Sequence, residues 1–219
     1  MKIEIWSDIM CPFCYIGKRK FEAALSAFEP KNEVEIVWKS FQLAPDMATE
    51  PDLNIDQFLA NHKAMPLEQA QQMNAQVAAM AMQSGLVYHF DKTIPANSFQ
   101  AHQLIHISKK YGLQNEAEEA LFRAYFTDGK NIDDLDTLVA LGVTIGLDAN
   151  ETKNALQSQQ YAEAVIADRI EAQQLGVTGV PFFVFDRKFA VSGAQDPAVF
   201  TEALQKSFAE VSNPNDTNG

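Results

Sequence analysis

The sequence predicts an α/β protein in which one sheet is interrupted by a large all-helical insertion. Three observations carry this expectation. Strand-like runs cluster in the first 50 residues around a single helical pattern, strand signals nearly vanish between Pro51 and Leu175, and strand character returns only at Phe182. A strand-rich beginning and end around a helical middle means that two halves of one sheet are completed across the insert. At 219 residues the chain has ample length for a core without staples.

Lys2 to Ser7 alternates and is rich in β-branched and aromatic residues. Tyr15 to Phe28 carries Phe21, Ala24, Leu25 and Phe28 at helical spacing and stops before Pro30. Val34 to Leu43 is nearly continuously apolar, as in a strand covered on both faces, so the first 50 residues read as a β-α-β unit. In the insert, the helical runs Leu67–Ser84, Ser98–Tyr111, Asn115–Asp128, Asp133–Ile145 and Tyr161–Leu175 stop at Gly85, Gly112, Gly129, Gly146 and Gly176. Phe182 to Phe185, the turn Asp186-Arg187-Lys188 and Phe189 to Val191 read as a hairpin. Asp196-Pro197 caps a last helix reaching about Glu210. The expected organisation is therefore 1–50 as the first part of the sheet unit, 51–175 as the helical insertion and 176–211 as the completing part. The polar tail 212–219 is expected to be disordered. There is no internal repeat, phosphate-binding loop, dinucleotide-binding glycine pattern or coiled-coil heptad.

The chemistry concentrates at Cys11-Pro12-Phe13-Cys14, which holds the only two cysteines of the chain. Two intervening residues put the sulfurs about one helical turn apart on one face, where they can close a disulfide or bind a metal. Cys11 falls where a helix N-cap belongs, and Pro12 occupies the first helical position, where its missing N–H costs nothing. A free thiol has a pKa of about 8.5, and the unsatisfied N–H groups of a helix start stabilise the anion. Cys11 is therefore the expected nucleophile, exposed and easily ionised. Cys14, a turn deeper, is expected to keep a higher pKa and to resolve a mixed disulfide. Phe13 adds no positive charge, which predicts a less oxidising disulfide than one with a basic residue between its cysteines. A structural zinc corner is the plainer alternative, but it needs four ligands and no second CxxC exists. His102 and His106 complete a Cys2His2 set only if the tertiary fold brings them there, so no metal is expected.

A net charge of −12 argues against a nucleic-acid partner, which requires clustered lysine and arginine. No apolar run approaches the ~20 residues that span a bilayer, so no membrane partner is expected. The first residues lack the pattern of a secretory signal, so the chain reads as cytoplasmic, where a disulfide is expected to be catalytic or sensory rather than structural.

Several segments, taken in order, resemble the DsbA-like branch of the thioredoxin superfamily. They are Cys11-Pro12-Phe13-Cys14-Tyr15-Ile16-Gly17, Trp38-Lys39-Ser40-Phe41-Gln42-Leu43, Asn97-Ser98-Phe99-Gln100-Ala101-His102-Gln103-Leu104-Ile105-His106 and Gly176-Val177-Thr178-Gly179-Val180-Pro181-Phe182-Phe183. The likeness spans nearly the whole chain and looks closest to the FrnE-type members. It implies a thioredoxin fold with a large all-helical insertion, and a cis Val180–Pro181 bond lying against the active cysteines. Such a bond turns the Val180 backbone toward the sulfurs, where its N–H and C=O can pair with an extended substrate. Related 2-hydroxychromene-2-carboxylate isomerases and kappa-class glutathione transferases typically have serine at the position of Cys11. The presence of both cysteines therefore favours redox chemistry.

The resulting expectation is a thiol–disulfide oxidoreductase with Cys11 and Cys14 catalytic, and with Phe13, Val180, Pro181, Asn97 and His102 contacting substrate. Its partners are protein or small-molecule thiols and disulfides, with glutathione as a possible co-substrate, no other cofactor, and a monomeric or homodimeric state. The alternatives are a glutathione-dependent isomerase or transferase for a small aromatic compound held between the domains, and a non-catalytic binding module. Asn97, Ser98 and His102 reach substrate only if the helical block folds over the cysteines. Otherwise His102 and His106 are expected on a partly solvated helix face, and Lys39 is expected to snorkel out at its strand end. Met73, Met80 and Met82 read as core or as an adaptable groove.

Overall fold

In the computed structural model, described for residues 1–212, the order of elements is β1 (Lys2–Ser7), α1 (Pro12–Ser26), β2 (Glu35–Ser40), α2 (Ile55–His62), α3 (Leu67–Gln83), α4 (Phe99–Lys109), α5 (Gln114–Phe122), α6 (Leu135–Thr144), α7 (Ala149–Gln157), α8 (Ala162–Gln174), β3 (Phe182–Phe185), β4 (Phe189–Ser192) and α9 (Pro197–Ser212). The four strands form one sheet in the order β2-β1-β3-β4. β1 pairs parallel with β2, with Ile5 opposite Trp38, and antiparallel with β3, with Ile5 opposite Phe183. The two halves of the sheet therefore meet between β1 and β3, across the helical insert. Apart from Ser212, which ends α9, the tail expected to be disordered lies outside the described residues.

β1 is central because both of its faces are apolar or paired. Ile3 and Ile5 join the larger core with Phe183 and Phe185, where the ring of Phe21 on α1 lies 5.4 Å from Phe183 and 5.7 Å from Phe200 on α9. On the opposite face Trp6 and Val184 pack with Ala172 of α8 and with Val177. The last helix of the insert thus forms one layer of the sheet unit. Its Asp168 accepts from Lys39 Nζ at 2.8 Å, from the Ser40 N–H at 2.9 Å and from His106 Nε2 at 3.1 Å. Glu171 accepts from Lys39 at 2.9 Å and from Arg187 at 2.7 Å. Lys39 therefore does not snorkel into solvent as expected. Burial works against its ammonium, but the two carboxylates outweigh that and hold its pKa above the ordinary lysine value.

α4 corrects a second expectation. It is buried from Ala101 to Ser108, with α5, α6, α7 and α8 packed around it, so His102 and His106 face no solvent. The expected helix Asn115–Asp128 is divided into α5 and a π-helical turn, Arg123–Thr127, which buries Ala124, Tyr125 and Phe126. α2 and α7 were not expected as separate helices. Each opens on a side-chain cap, Asn54 accepting from the Gln57 N–H and Asp148 from the Glu151 N–H. No helix among the described residues is long and apolar enough to cross a membrane.

Asp168 links one helix of the insert to β2 and α4 with almost no solvent access, so its removal leaves His106 without a carboxylate and Lys39 with Glu171 alone. Asp168→Ala is expected to lower the unfolding free energy by about 3–5 kcal/mol, read by urea denaturation followed through tryptophan fluorescence. A change under about 0.5 kcal/mol would show that the contacts are marginal.

Candidate active site

Cys11 is the N-cap of α1, with extended backbone, and Pro12 follows at the first helical position. The Cys11 N–H donates to the Asp8 carbonyl at 2.9 Å, and the Cys14 N–H donates to the Cys11 carbonyl at 3.0 Å, closing the first turn. Both cysteines are free thiols. The Cys11 thiol faces the Val180 carbonyl at 3.5 Å, and the Val180–Pro181 peptide bond is cis. The structure thus brings Cys11, Cys14, Val180 and Pro181 together.

The expectation of an exposed Cys11 is corrected, because only 4% of its surface is accessible. The Val180 loop covers the sulfur from one side. Phe13 is the exposed member of the motif, at 40%. Cys14 is fully buried, and burial pushes its thiol well above the ordinary value. A hydrogen bond and electrostatic repulsion from Cys11 push in the same direction, while hydrogen bonding with the Asp8 backbone and the Ser7 side chain pulls against them.

Three further groups shape this corner. Gly17 lies one turn beyond Cys14 where α1 meets the proline loop, and a Cβ there would come within 2.8 Å of Pro181 Cγ. Only a glycine permits that approach. Tyr88 donates to the Pro12 carbonyl at 2.8 Å, and burial raises its own pKa above the ordinary tyrosine value. Beyond Tyr15, Glu119 is pushed up by burial but held at about 2 by hydrogen bonds from Arg19, Lys18 and Tyr15. A mid-helix glycine, which costs about 1 kcal/mol relative to alanine, was the sequence signal for Gly17. Nothing in the local pattern points to Tyr88.

Asn97 and His102 stand apart from the sulfurs. The Asn97 side chain is fully engaged, donating to the Pro45 and Met47 carbonyls at 3.0 and 2.8 Å and accepting from Gln42 and the Phe99 N–H. His102 has no accessible surface, and its Nε2 lies 3.5 Å from Asp8 Oδ1. The Asn97 amide is already committed and the His102 ring has no surface that a substrate can touch, which corrects their expected contact role. Asp8 itself accepts from the Met10 N–H at 3.2 Å and the Leu43 N–H at 2.7 Å. Glu118, buried nearby, has its pKa raised to about 8 by burial, with Lys18 opposing and Asp8 reinforcing. Among the described residues no group of three or more His, Cys, Asp or Glu is placed to hold a metal ion.

The model of the DsbA-like thioredoxin domain matches residues 2–205. The chain belongs to that family. It is 28% identical over 204 residues to the uncharacterized protein YwbO of Bacillus subtilis (strain 168), covering 92% of this chain and 94% of that protein. Its fold superposes with a TM-score of 0.88 on a probable DsbA oxidoreductase from Streptomyces coelicolor, at 41% identity over 96% of this chain and 91% of that one. The cytosolic disulfide reductase DsbM from Pseudomonas aeruginosa, solved with GSH, shares the fold at a TM-score of 0.68 and 18% identity, over 95% and 100% of the two chains.

Two predictions follow from this DsbA-like corner. Gly17→Ala forces α1 and the proline loop apart and is expected to destabilise the protein by about 1–3 kcal/mol, with slower alkylation or exchange at Cys11. Unaltered stability and thiol kinetics would show that the loop gives way freely. Glu118 supplies the pH test. With a native pKa of about 8 against 4.5 when free, the folded state keeps a proton there that the unfolded chain has lost. Its contribution is therefore fully present below 4.5, and stability falls as pH rises through about 8. Thermal unfolding of Glu118→Gln across that window is expected to show a flatter pH profile than the parent.

Proposed function

We propose that this DsbA-like protein is a thiol–disulfide oxidoreductase of the FrnE type, cycling Cys11 and Cys14 between dithiol and disulfide without a bound cofactor. The observation that carries the reading is the pairing of an N-cap cysteine facing the Val180 carbonyl with a second, fully buried cysteine one turn into α1.

In the reductive direction the Cys11 thiolate attacks one sulfur of a substrate disulfide. The substrate S–S bond breaks, one substrate sulfur leaves as a thiolate and takes up a proton, and the other stays bonded to Cys11. Cys14 then loses its proton and attacks the Cys11 sulfur, releasing the second substrate thiol. Two electrons pass to the substrate and Cys11–Cys14 becomes a disulfide. Run backwards, the same steps oxidise a substrate dithiol. Burial of Cys14 reserves it for the second step, because a thiol held well above its ordinary pKa is a poor first attacker.

Phe13 provides the exposed apolar contact beside the reacting sulfur, and the Val180 and Pro181 backbone provides the edge along which an extended substrate lies. Glutathione is a candidate co-substrate, as the DsbM structure solved with GSH suggests for a protein of this fold. A cytoplasmic location is part of this reading, and the cytosolic disulfide reductase DsbM shares the fold.

Trapping in cells tests the reading. Cys14→Ser is expected to accumulate a covalent adduct through Cys11 that dithiothreitol releases, whereas the Cys11→Ser variant gives none and loses turnover of a disulfide peptide. Full turnover by Cys11→Ser would overturn the assignment.

A further inference from the structure

We infer that the cavity beside Cys11 is a subsite for a polypeptide segment carrying an apolar and a basic side chain next to its reacting cysteine. The inference rests on the oxidoreductase reading above and specifies its substrate class.

The cavity has a volume of about 600 Å³, opens to solvent, and is lined by Met10, the loop from Leu43 to Ala48, Glu50, Phe58 and His62. Met10 immediately precedes Cys11. Consecutive Cα atoms lie about 3.8 Å apart, so a substrate joined to Cys11 carries its neighbouring residues to the mouth of this space. The walls are fixed in advance. The Asp8 carboxylate binds the N–H groups of Met10 and Leu43 together, and the Asn97 amide holds the Pro45 and Met47 carbonyls. The far wall is a turn of α2 on which the rings of Phe58 and His62 stack with centroids 5.6 Å apart. A preformed cavity binds without the cost of ordering its own loop.

The lining pairs apolar surface with negative charge. Met10, Leu43, Met47 and Phe58 give an apolar floor, with Leu43 half exposed, and methionine adapts to side chains of different shape. The charged residues of the lining are Asp46 and Glu50, without lysine or arginine. Neither makes an ion pair among the described residues. A lysine or arginine entering here lays its methylenes along the floor and brings its cation to the two carboxylates. An acidic segment meets repulsion at the same place, reinforced by the net charge of −12. Glutathione, an anion at neutral pH, makes poor use of the cavity. A peptide bearing an apolar and a basic residue uses both parts of it.

The test compares three substrates, each with a small dithiol as electron donor: a fluorogenic disulfide peptide with Leu-Arg beside its cysteine, the same peptide with Asp-Glu there, and oxidised glutathione. The Leu-Arg peptide is expected to show kcat/KM about tenfold above the Asp-Glu peptide, mostly through KM, in line with electrostatic selection of a partner. A double variant, D46N with E50Q, is expected to lose most of that preference. Equal rates for the two peptides, or a preference that survives the double variant, would overturn the subsite while leaving the oxidoreductase reading intact. Failure to turn over any of the three substrates would overturn both.

Discussion

The close approach of α1 to the proline loop is the constraint on which the rest of the site depends. Gly17 lets the helix come so near that no other side chain fits against Pro181, and this brings the Cys11 thiol to the Val180 carbonyl. The two partners come from opposite ends of the chain, 169 residues apart, so the contact exists only once the sheet has closed. Closure in turn requires β1 to pair with β3, which aligns Trp6 with Phe182 at the edge facing the cysteines. A helix start, a strand end and a loop thus meet at one corner, where open α/β folds place their chemistry.

The insert is part of that closure. α8 covers the sheet face opposite α1 and α9, and Asp168 and Glu171 tie it to β2 and to the hairpin turn at Arg187. Asn97, ahead of α4, holds the loop after β2, while α3 packs against α1. The polar groups buried in the insert therefore act on the site through backbone position. Asp8 illustrates this, since one carboxylate sets the spacing between the peptide before Cys11 and the loop at Leu43.

Local patterns in the sequence were sufficient where a residue type has one dominant structural use. Cys11 as N-cap, Pro12 at the first helical turn and glycines just beyond the helix ends are such cases, and Gly85, Gly112, Gly129, Gly146 and Gly176 all adopt positive φ. The cis bond before Pro181 followed from resemblance, because spacing alone does not distinguish it from the commoner trans form. Burial was misread where partners come from afar. Lys39 has its carboxylates 129 and 132 residues away, and the histidines of α4 lie on a helix surrounded on all sides, where amphipathic periodicity fades. The exposure of Cys11 was misjudged for the same reason, since the loop that covers it is distant in sequence.

The burial of Cys14 bears on the order of events in the proposed cycle. Burial is the largest of the influences that raise its pKa and is unchanged by capture of a substrate, but the next two both come from Cys11. Once Cys11 is bonded to a substrate sulfur it has neither a negative charge to repel a second thiolate nor a thiolate lone pair to accept a hydrogen bond from the Cys14 thiol. Both contributions then disappear, and the Cys14 thiolate becomes easier to form just when a mixed disulfide is present for it to attack. Before capture the same two contributions keep Cys14 protonated, which protects it from reacting on its own account. In the proposed cycle, burial of Cys14 thus imposes an order on the reaction: Cys11 engages first, and its engagement releases its neighbour.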